Sequence, residues 1–562
     1  MSYYSSVNAT LVDLSDPTAR IVVELGCGEG AAAKVLKCSN PNRRFIGIEF
    51  MPGPAAKARA VFDTVIEGNV EDATTFSALD AALGEDRIDL LVIGDVLEHL
   101  HEPWSVMSAF HKRMSERGRM VLSLPNVSHW SLIFRQLQGD WTYSDSGLLD
   151  RTHLRYFTKK TGQDMLRQAN WHITSAHPRV FNHKHRDRVI GALTGIAGDL
   201  GISAQRMREE LSTLQWVHCA SATPESRAYN IHAIGIAGAL DSLTTVRLDQ
   251  PLRTLRAMGR ADFQLSRGSF ALPHPSARSG ILLTYRLHPT NEQWDQLDRL
   301  LASGWLFVHD VDDHPAYLRA QKRLDFRSIR EAHAVTVSTE HLADVCRQWN
   351  ENVFVVPNQI HALAPPELAL ATPQEPRVFF GAVNRSDQWQ EGSVDQITTF
   401  ARENRIETTV IADDSFAAQL GETAHHLPVQ SYQAYRRELA QSDIALLPLR
   451  ASAFTACKSD LKIIECLASG VVPLCSSYAA AQSKVPTEVL AVAEGPDDWV
   501  SELQRLRNPS VRAKMQAAGY RWVAENRLWA QHGHGLDDLY DRLYKQRSDL
   551  QKQRLIRLGR SL

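Results

Sequence analysis

The 562-residue chain is several times the roughly 100–200 residues typical of one domain, so three or four domains are expected. Hydrophobic residues at 44% and charged residues at 22% are ordinary globular values and exclude a mainly disordered, collagen-like or disulfide-scaffold protein. With 62 Lys+Arg against 64 Asp+Glu and a net charge of -2, no global basic field is present to hold a nucleic-acid backbone.

The opening MSYYSSVNAT shows neither a basic n-region nor an apolar h-region, so no secretory signal is expected. From residue 20 strand-like and helix-like segments alternate, the pattern of a parallel sheet covered by helices. Strands are predicted at 21–26, 44–50, 64–69, 88–95 and 118–125, with helices at 30–38, 54–62, 74–83 and 102–114. Two further strands are predicted at 171–181 and 213–221, and the turn-like ATPES at 222–226 marks a boundary. A second series of strands follows at 229–237, 281–286, 305–310, 334–338 and 353–356. The Pro-rich stretch 364–376 reads as a linker, and a third series comes at 377–383, 408–412, 443–449 and 471–476, before terminal helices. The longest apolar runs, such as 88–94 and 444–449, fall far short of the ~18 residues a bilayer span requires. Seven cysteines without a CxxC pair point to reduced thiols rather than disulfides or zinc. The expectation is a cytoplasmic α/β enzyme.

The first strand runs into Glu24-Leu25-Gly26-Cys27-Gly28-Glu29-Gly30 and then a helix. Glycines permit a tight turn and let a ligand approach the backbone. The spacing is GxGxG rather than the GxGxxG of dinucleotide binders. Glu49 ends the second strand, where a carboxylate can take both hydroxyls of a ribose. Asp95 ends the fourth, within Asp95-Val96-Leu97-Glu98-His99-Leu100. Parallel topology brings these strand ends to one sheet edge.

In these features the segment 15–222 resembles the class I S-adenosylmethionine (SAM)-dependent methyltransferases. The resemblance implies that Glu24, Gly26, Gly28 and Gly30 form the cofactor turn. It places Glu49 on the ribose and Asn69-Val70 by the adenine, and counts Asp95 among the cofactor-binding residues. The family often has Asp where Asn69 stands. The segment from Leu149 to Thr158, LDRTHLRYFT, looks like one found in methyltransferases of bacterial surface-glycan clusters and faces the cofactor mouth in that fold. A hydroxyl acceptor benefits from a base. His153 is the first candidate and His99 the second, with Asp150 placed to orient His153; a plain loop-holding role for either histidine is the competing reading.

Residues 334–360 carry a strand ending in Ser338-Thr339 and another ending in Val356-Pro357-Asn358. This resembles the GT-B glycosyltransferases, especially the retaining family that uses nucleotide-sugar donors, over about residues 228–545. Farther on, Lys458-Ser459-Asp460-Leu461-Lys462-Ile463-Ile464-Glu465 reads as a helix start, with Ser459 a good N-cap. Its free N–H groups suit a diphosphate, to which Lys458, Lys462 and Arg385 add charge, and the resemblance places Glu465 on the donor ribose. Cys457 stands where the family usually has an acidic residue. In Asp310-Val311-Asp312-Asp313 the carboxylates are expected on acceptor or donor sugar, with metal-bridged diphosphate as the minority reading; no metal is assigned to either site.

The expected architecture is therefore a Rossmann-like class I methyltransferase domain (1–222), a GT-B acceptor domain (223–363), a GT-B donor domain (364–545) and a basic helical tail (546–562). The tail offers weak attraction to an anionic membrane at its inner face, against the alternative of a solvated helix. The expected function is bifunctional: sugar transfer from a nucleotide-diphosphate sugar to a glycan, lipid-linked glycan or glycoprotein such as flagellin, and methylation of a sugar hydroxyl. The alternative is a degenerate methyltransferase domain that scaffolds or recruits.

Overall fold

The computed structural model describes residues 7–225, 229–238, 241–274, 277–320, 326–382 and 386–560. They fall into two compact units, the first made of residues 1–37, 41–226 and 257–259 and the second of 38–40, 227–256 and 260–562.

The first unit holds a seven-stranded sheet: β1 (Ile21–Leu25), β2 (Arg44–Glu49), β3 (Thr64–Glu67), β4 (Ile88–Gly94), β5 (Met114–Pro125), β6 (His172–Val180) and β7 (Thr213–Ser221). Their order is β3-β2-β1-β4-β5-β7-β6. The pairs from β3 to β5 are parallel, and β7 inserts antiparallel between β5 and β6. Every residue of β1 is buried because both faces of the sheet are covered. Ile21, Val23 and Leu25 enter one core with Ile46, Ile48, Leu91 and Ile93. Val22 enters the opposite core with Phe45, Leu90 and Val92. A strand buried on both sides reads as an unbroken apolar run, which is why these strands stand out in the sequence. The order reverses between β1 and β4, and ligands of open α/β sheets bind at such a switch point.

The second unit contains two six-stranded, all-parallel sheets. The first comprises β8 (Tyr229–Gly235), β9 (Ala261–Arg267), β10 (Ile281–Tyr285), β11 (Leu306–Val311), β12 (Ala334–Val337) and β13 (Val353–Val355), in the order β13-β12-β11-β10-β8-β9. The second comprises β14 (Val378–Gly381), β15 (Thr408–Ile411), β16 (Ala424–Leu427), β17 (Ile444–Leu447), β18 (Val472–Ser476) and β19 (Ala491–Ala493), in the order β16-β15-β14-β17-β18-β19. The chain then returns to the first of these sheets. Trp529, Leu536, Tyr540 and Leu543 of helix Trp529–Lys545 pack with Tyr229, Ile231 and Ile281.

The basic tail, read from sequence as a solvated helix or a weak attraction to an anionic membrane, packs onto the rest of the second unit. Helix Arg547–Arg557 buries Leu550, and its arginines are used within the unit. Arg554 reaches Glu331 and Asp298 at 3.0 and 2.5 Å, Arg557 reaches Glu351 at 2.6 Å, and Arg560 reaches Asp298 at 2.8 Å. No described helix is long and apolar enough to cross a membrane. All seven cysteines are free thiols, and Cys457, Cys466 and Cys475 are buried.

Candidate active site

At the C-terminal edge of β1 the chain turns through Gly26, Gly28 and Gly30, all at positive φ (69°, 54° and 85°). At Gly26 a Cβ would lie 2.3 Å from Val96 Cγ2, so a side chain there displaces Val96 and also strains the left-handed backbone. Glu49, at the end of β2, accepts the Gly28 N–H on Oε2 at 2.8 Å and the Met51 N–H on Oε1 at 2.9 Å. Each oxygen keeps a further acceptor direction. Glu24 is buried beneath the turn with Oε2 lacking a partner. Burial first, and then the neighbouring Glu49, push its carboxyl up to about 8. Cofactor cations and hydroxyls are the groups such a cradle fits: an orphaned acid, a second carboxylate and a turn without side chains. Asn69 accepts the Glu71 N–H at 3.0 Å and Val70 is buried.

After β4, Asp95 is held at φ 54°, a conformation that costs a non-glycine residue and clusters at functional positions. Ser123 donates to its Oδ1 at 2.7 Å, and the Gln215 amide donates at 2.9 Å from β7. The short turn Leu97–His99 follows. Glu98 is 1% exposed and neither carboxylate oxygen has a hydrogen-bond partner. Its carboxyl is raised well above the ordinary range, first by burial and then by Asp95. The backbone carbonyl of Glu98 accepts the N–H groups of Leu154 and Arg155 at 2.7 and 3.0 Å. That contact folds the 150–155 loop back onto the turn and brings His153 to His99, with ring centroids 4.8 Å apart and edge to face.

The loop is braced internally. Thr152 donates its hydroxyl to Asp150 Oδ1 at 2.7 Å and its N–H to the same oxygen at 2.9 Å. His99 Nδ1 lies 3.2 Å from the Thr152 carbonyl and 3.0 Å from its hydroxyl. Asp150 therefore supports His99 through Thr152; it also accepts the His153 N–H on its backbone carbonyl at 3.0 Å and places a negative charge near the His153 ring. Burial, and then His99, hold His153 below the usual imidazole range. Tyr156 stands 6.4 Å from His153 and 6.0 Å from the exposed Trp141, forming an aromatic flank. Glu98, Thr152, Ser123, Gln215, Trp141 and Tyr156 are absent from the sequence-derived site. No local pattern marks Glu98, which lies between Leu97 and His99.

In the second unit the Asp310, Asp312 and Asp313 carboxylates meet basic and hydroxyl partners. Asp310 is turned inward, its two oxygens taking Arg247 at 2.9 and 2.7 Å, with Thr336 donating at 2.7 Å. Asp312 accepts from Tyr285 at 2.8 Å and from Arg286 at 2.8 Å, and Asp313 pairs with Arg286 at 2.5 Å. These acids neutralise buried arginines instead of presenting open carboxylates to a sugar. The helix Leu461–Ala468 has Asp460, not Ser459, as its N-cap, and that carboxylate binds Arg527 at 2.6 and 2.9 Å. Ser459 Oγ instead accepts from Asn358 at 2.8 Å and from the Leu461 N–H at 3.4 Å. Lys458 lies 3.6 Å from Asp313 and Lys462 donates to the Gly381 carbonyl. Glu465 is buried, with Tyr432 and Tyr435 hydrogen-bonding its carboxylate, so it faces the interior where the sequence reading put it on a donor ribose. Arg385 lies outside the described residues.

Residues 4–176 match a family model described as a methyltransferase domain. The N-terminal part of the chain is thus a methyltransferase domain, and SAM is the cofactor that this family implies. No curated protein matches the chain. Among solved structures, a SAM-dependent methyltransferase from Mesorhizobium loti is similar at 16% identity, covering 38% of this chain and 96% of its own, with a TM-score of 0.26. A SAM-dependent methyltransferase from Thermotoga maritima is similar at 15% identity, covering 38% of this chain and 89% of its own, with a TM-score of 0.25.

Proposed function

We propose that residues 1–222 transfer the methyl group of SAM to a sugar hydroxyl. The observation that carries this reading is the convergence of two groups of side chains at the edge where β1, β2 and β4 end. One is the glycine turn with Glu24 and Glu49. The other is the Glu98, His99 and His153 cluster, flanked by Asp95. SAM supplies an electrophilic methyl carbon on a sulfonium. The protein's own part is to hold the acceptor in line with it, where most of the gain is proximity and orientation. Trp141 and Tyr156 offer apolar faces to a sugar ring, and the histidine cluster makes the hydroxyl proton easier to lose. Calorimetry with S-adenosylhomocysteine and a His153→Ala assay test this: binding should persist while transfer is lost. Full transfer by the variant would refute the role of the cluster.

We further propose that residues 223–363 and 364–545 are the acceptor and donor domains of a GT-B glycosyltransferase using a nucleotide-diphosphate sugar, with the tail 546–562 bracing the first. Support comes from two parallel sheets in one unit, and from the Asn358–Ser459 hydrogen bond that ties the end of the first sheet to a helix start beside the second. Lys458, Ser459 and Lys462 gather at that helix start, where a diphosphate meets free N–H groups and positive charge. Glu465 then acts from behind, by fixing Tyr432 and Tyr435. Both activities would serve one glycan, because tethering raises the effective concentration of one site's product at the other. Lys458→Ala with Lys462→Ala should weaken donor binding; unchanged binding in the double variant would refute the donor site.

A further inference from the structure

We infer that Glu98, His99 and His153 form a binding site for one divalent first-row transition-metal ion. Among the described residues they are the one group of three or more His, Cys, Asp or Glu side chains close enough to share an ion, with all donor atoms within 4.8 Å of one another. Bonds of about 2.1 Å to each donor require donors no more than about 4.2 Å apart. Small side-chain rotations close that gap.

Glu98 is the independent sign of a ligand. It is 1% exposed, and both carboxylate oxygens lack partners. A buried polar group without a hydrogen bond is costly, and a buried charge more so unless it is paired or coordinates a metal. No described arginine or lysine reaches these oxygens by a hydrogen bond or ion pair. Asp95 and Asp150 add negative potential around Glu98, which favours a cation over a neutral guest.

The surroundings are built as metal ligands require. Ligating histidines donate their second ring nitrogen to a carbonyl or carboxylate, which fixes tautomer and orientation. His99 Nδ1 has the Thr152 carbonyl at 3.2 Å, and donation there leaves Nε2 with its lone pair. Thr152 is pinned in turn by Asp150, and His153 is hydrogen-bonded by the Leu148 backbone. Two imidazoles and one carboxylate suit zinc, manganese, iron, cobalt or nickel better than magnesium or calcium, whose ligands are oxygen. Three protein ligands leave positions open for substrate oxygens.

The role of the ion rests on the methyltransferase reading. With coordination expanded to five, the two positions left open fit a vicinal diol of a sugar, held through both oxygens. A Lewis acid makes a coordinated hydroxyl more acidic, so its proton passes to solvent water at neutral pH. The oxygen–carbon bond then forms as the carbon–sulfur bond breaks, with the bonding pair left on sulfur. The acceptor class is accordingly a cis-diol or another two-oxygen chelator rather than an isolated hydroxyl.

The test uses the full chain after chelator treatment, titrated with Co2+ as the probe and followed by visible absorption. One equivalent should bind with a ligand-field spectrum. Glu98→Gln and His153→Gln should each weaken binding at least tenfold, and S-adenosylhomocysteine binding by calorimetry should be unchanged in both. Because Glu98→Gln alters a fully buried group, His153→Gln at the less buried ligand provides the second reading. Cobalt binding no weaker in either variant than in the parent, or no binding by the parent, would overturn the metal site. A chain that binds cobalt but not S-adenosylhomocysteine would support the metal site and overturn the methyltransferase reading instead.

Discussion

His99 and His153 meet edge to face with ring centroids 4.8 Å apart, although one follows β4 and the other lies in the loop beyond β5. The Glu98 carbonyl makes this possible by accepting two N–H groups from the far side of His153.

The first prediction concerns that centre. His153→Ala should lower the methyl-transfer rate on the order of 100-fold or more, the usual scale for losing a group that assists proton loss from the acceptor. S-adenosylhomocysteine affinity should stay within about threefold, because the glycine turn is untouched. Steady-state kinetics beside calorimetry separates the two effects. An equal loss in affinity and rate would show that His153 merely holds the loop.

Gly26→Ala should unfold or empty the cofactor turn. The added Cβ meets Val96 Cγ2 at 2.3 Å and sits at φ 69°, so backbone strain of about 1–2 kcal/mol adds to overpacking of about 1–3 kcal/mol. Gly26→Ala with Val96→Ala relieves only the second term. Thermal melts of the two variants should therefore differ, and both should lie below the parent. Equal melting of all three would remove the steric argument.

Glu24 gives the stability a pH dependence. Its folded-state value is raised to about 8 from an ordinary 4.5, so between those values the folded protein holds a proton that the unfolded chain has lost. The contribution is fully present below about pH 4.5 and is lost as pH rises through about 8. Glu24→Gln should flatten the decline of stability across this window. Denaturant titrations at a series of pH values read it directly, and identical profiles for variant and parent would contradict the burial argument.

Much of the fold is legible in the sequence because the central strands are buried on both faces and therefore read as continuous apolar runs. The strands β9, β16 and β19 escape for the opposite reason: each lies at a sheet edge. Asp262, Gln264, His425 and His426 interrupt the apolar pattern in β9 and β16, and β19 has only three residues. At the site, Gly26, Gly28, Gly30 and Glu49 are legible because local spacing places them at strand ends. Glu98 is not, since its isolation depends on Leu154 and Arg155 folding back from a distant loop. Asp310 misleads for a related reason. Its position at a strand end is visible, but its partner Arg247 comes from another element and turns it inward.

Asp310→Asn should cost roughly 3–5 kcal/mol, the scale for leaving one member of a buried ion pair without its counter-charge. Chemical denaturation should show the second unit unfolding earlier with the first unit unchanged. A variant that keeps full stability but loses sugar transfer would restore a ligand-facing role for this carboxylate.

The central claim is that the first unit binds SAM in the glycine turn. Calorimetry of the full chain with S-adenosylhomocysteine tests it most directly, using Gly28→Arg as the control because the Gly28 N–H bonds Glu49 within the turn. One equivalent of ligand should bind the parent, and the variant should show no binding. Absence of binding by the parent, or undiminished binding by Gly28→Arg, would contradict the account.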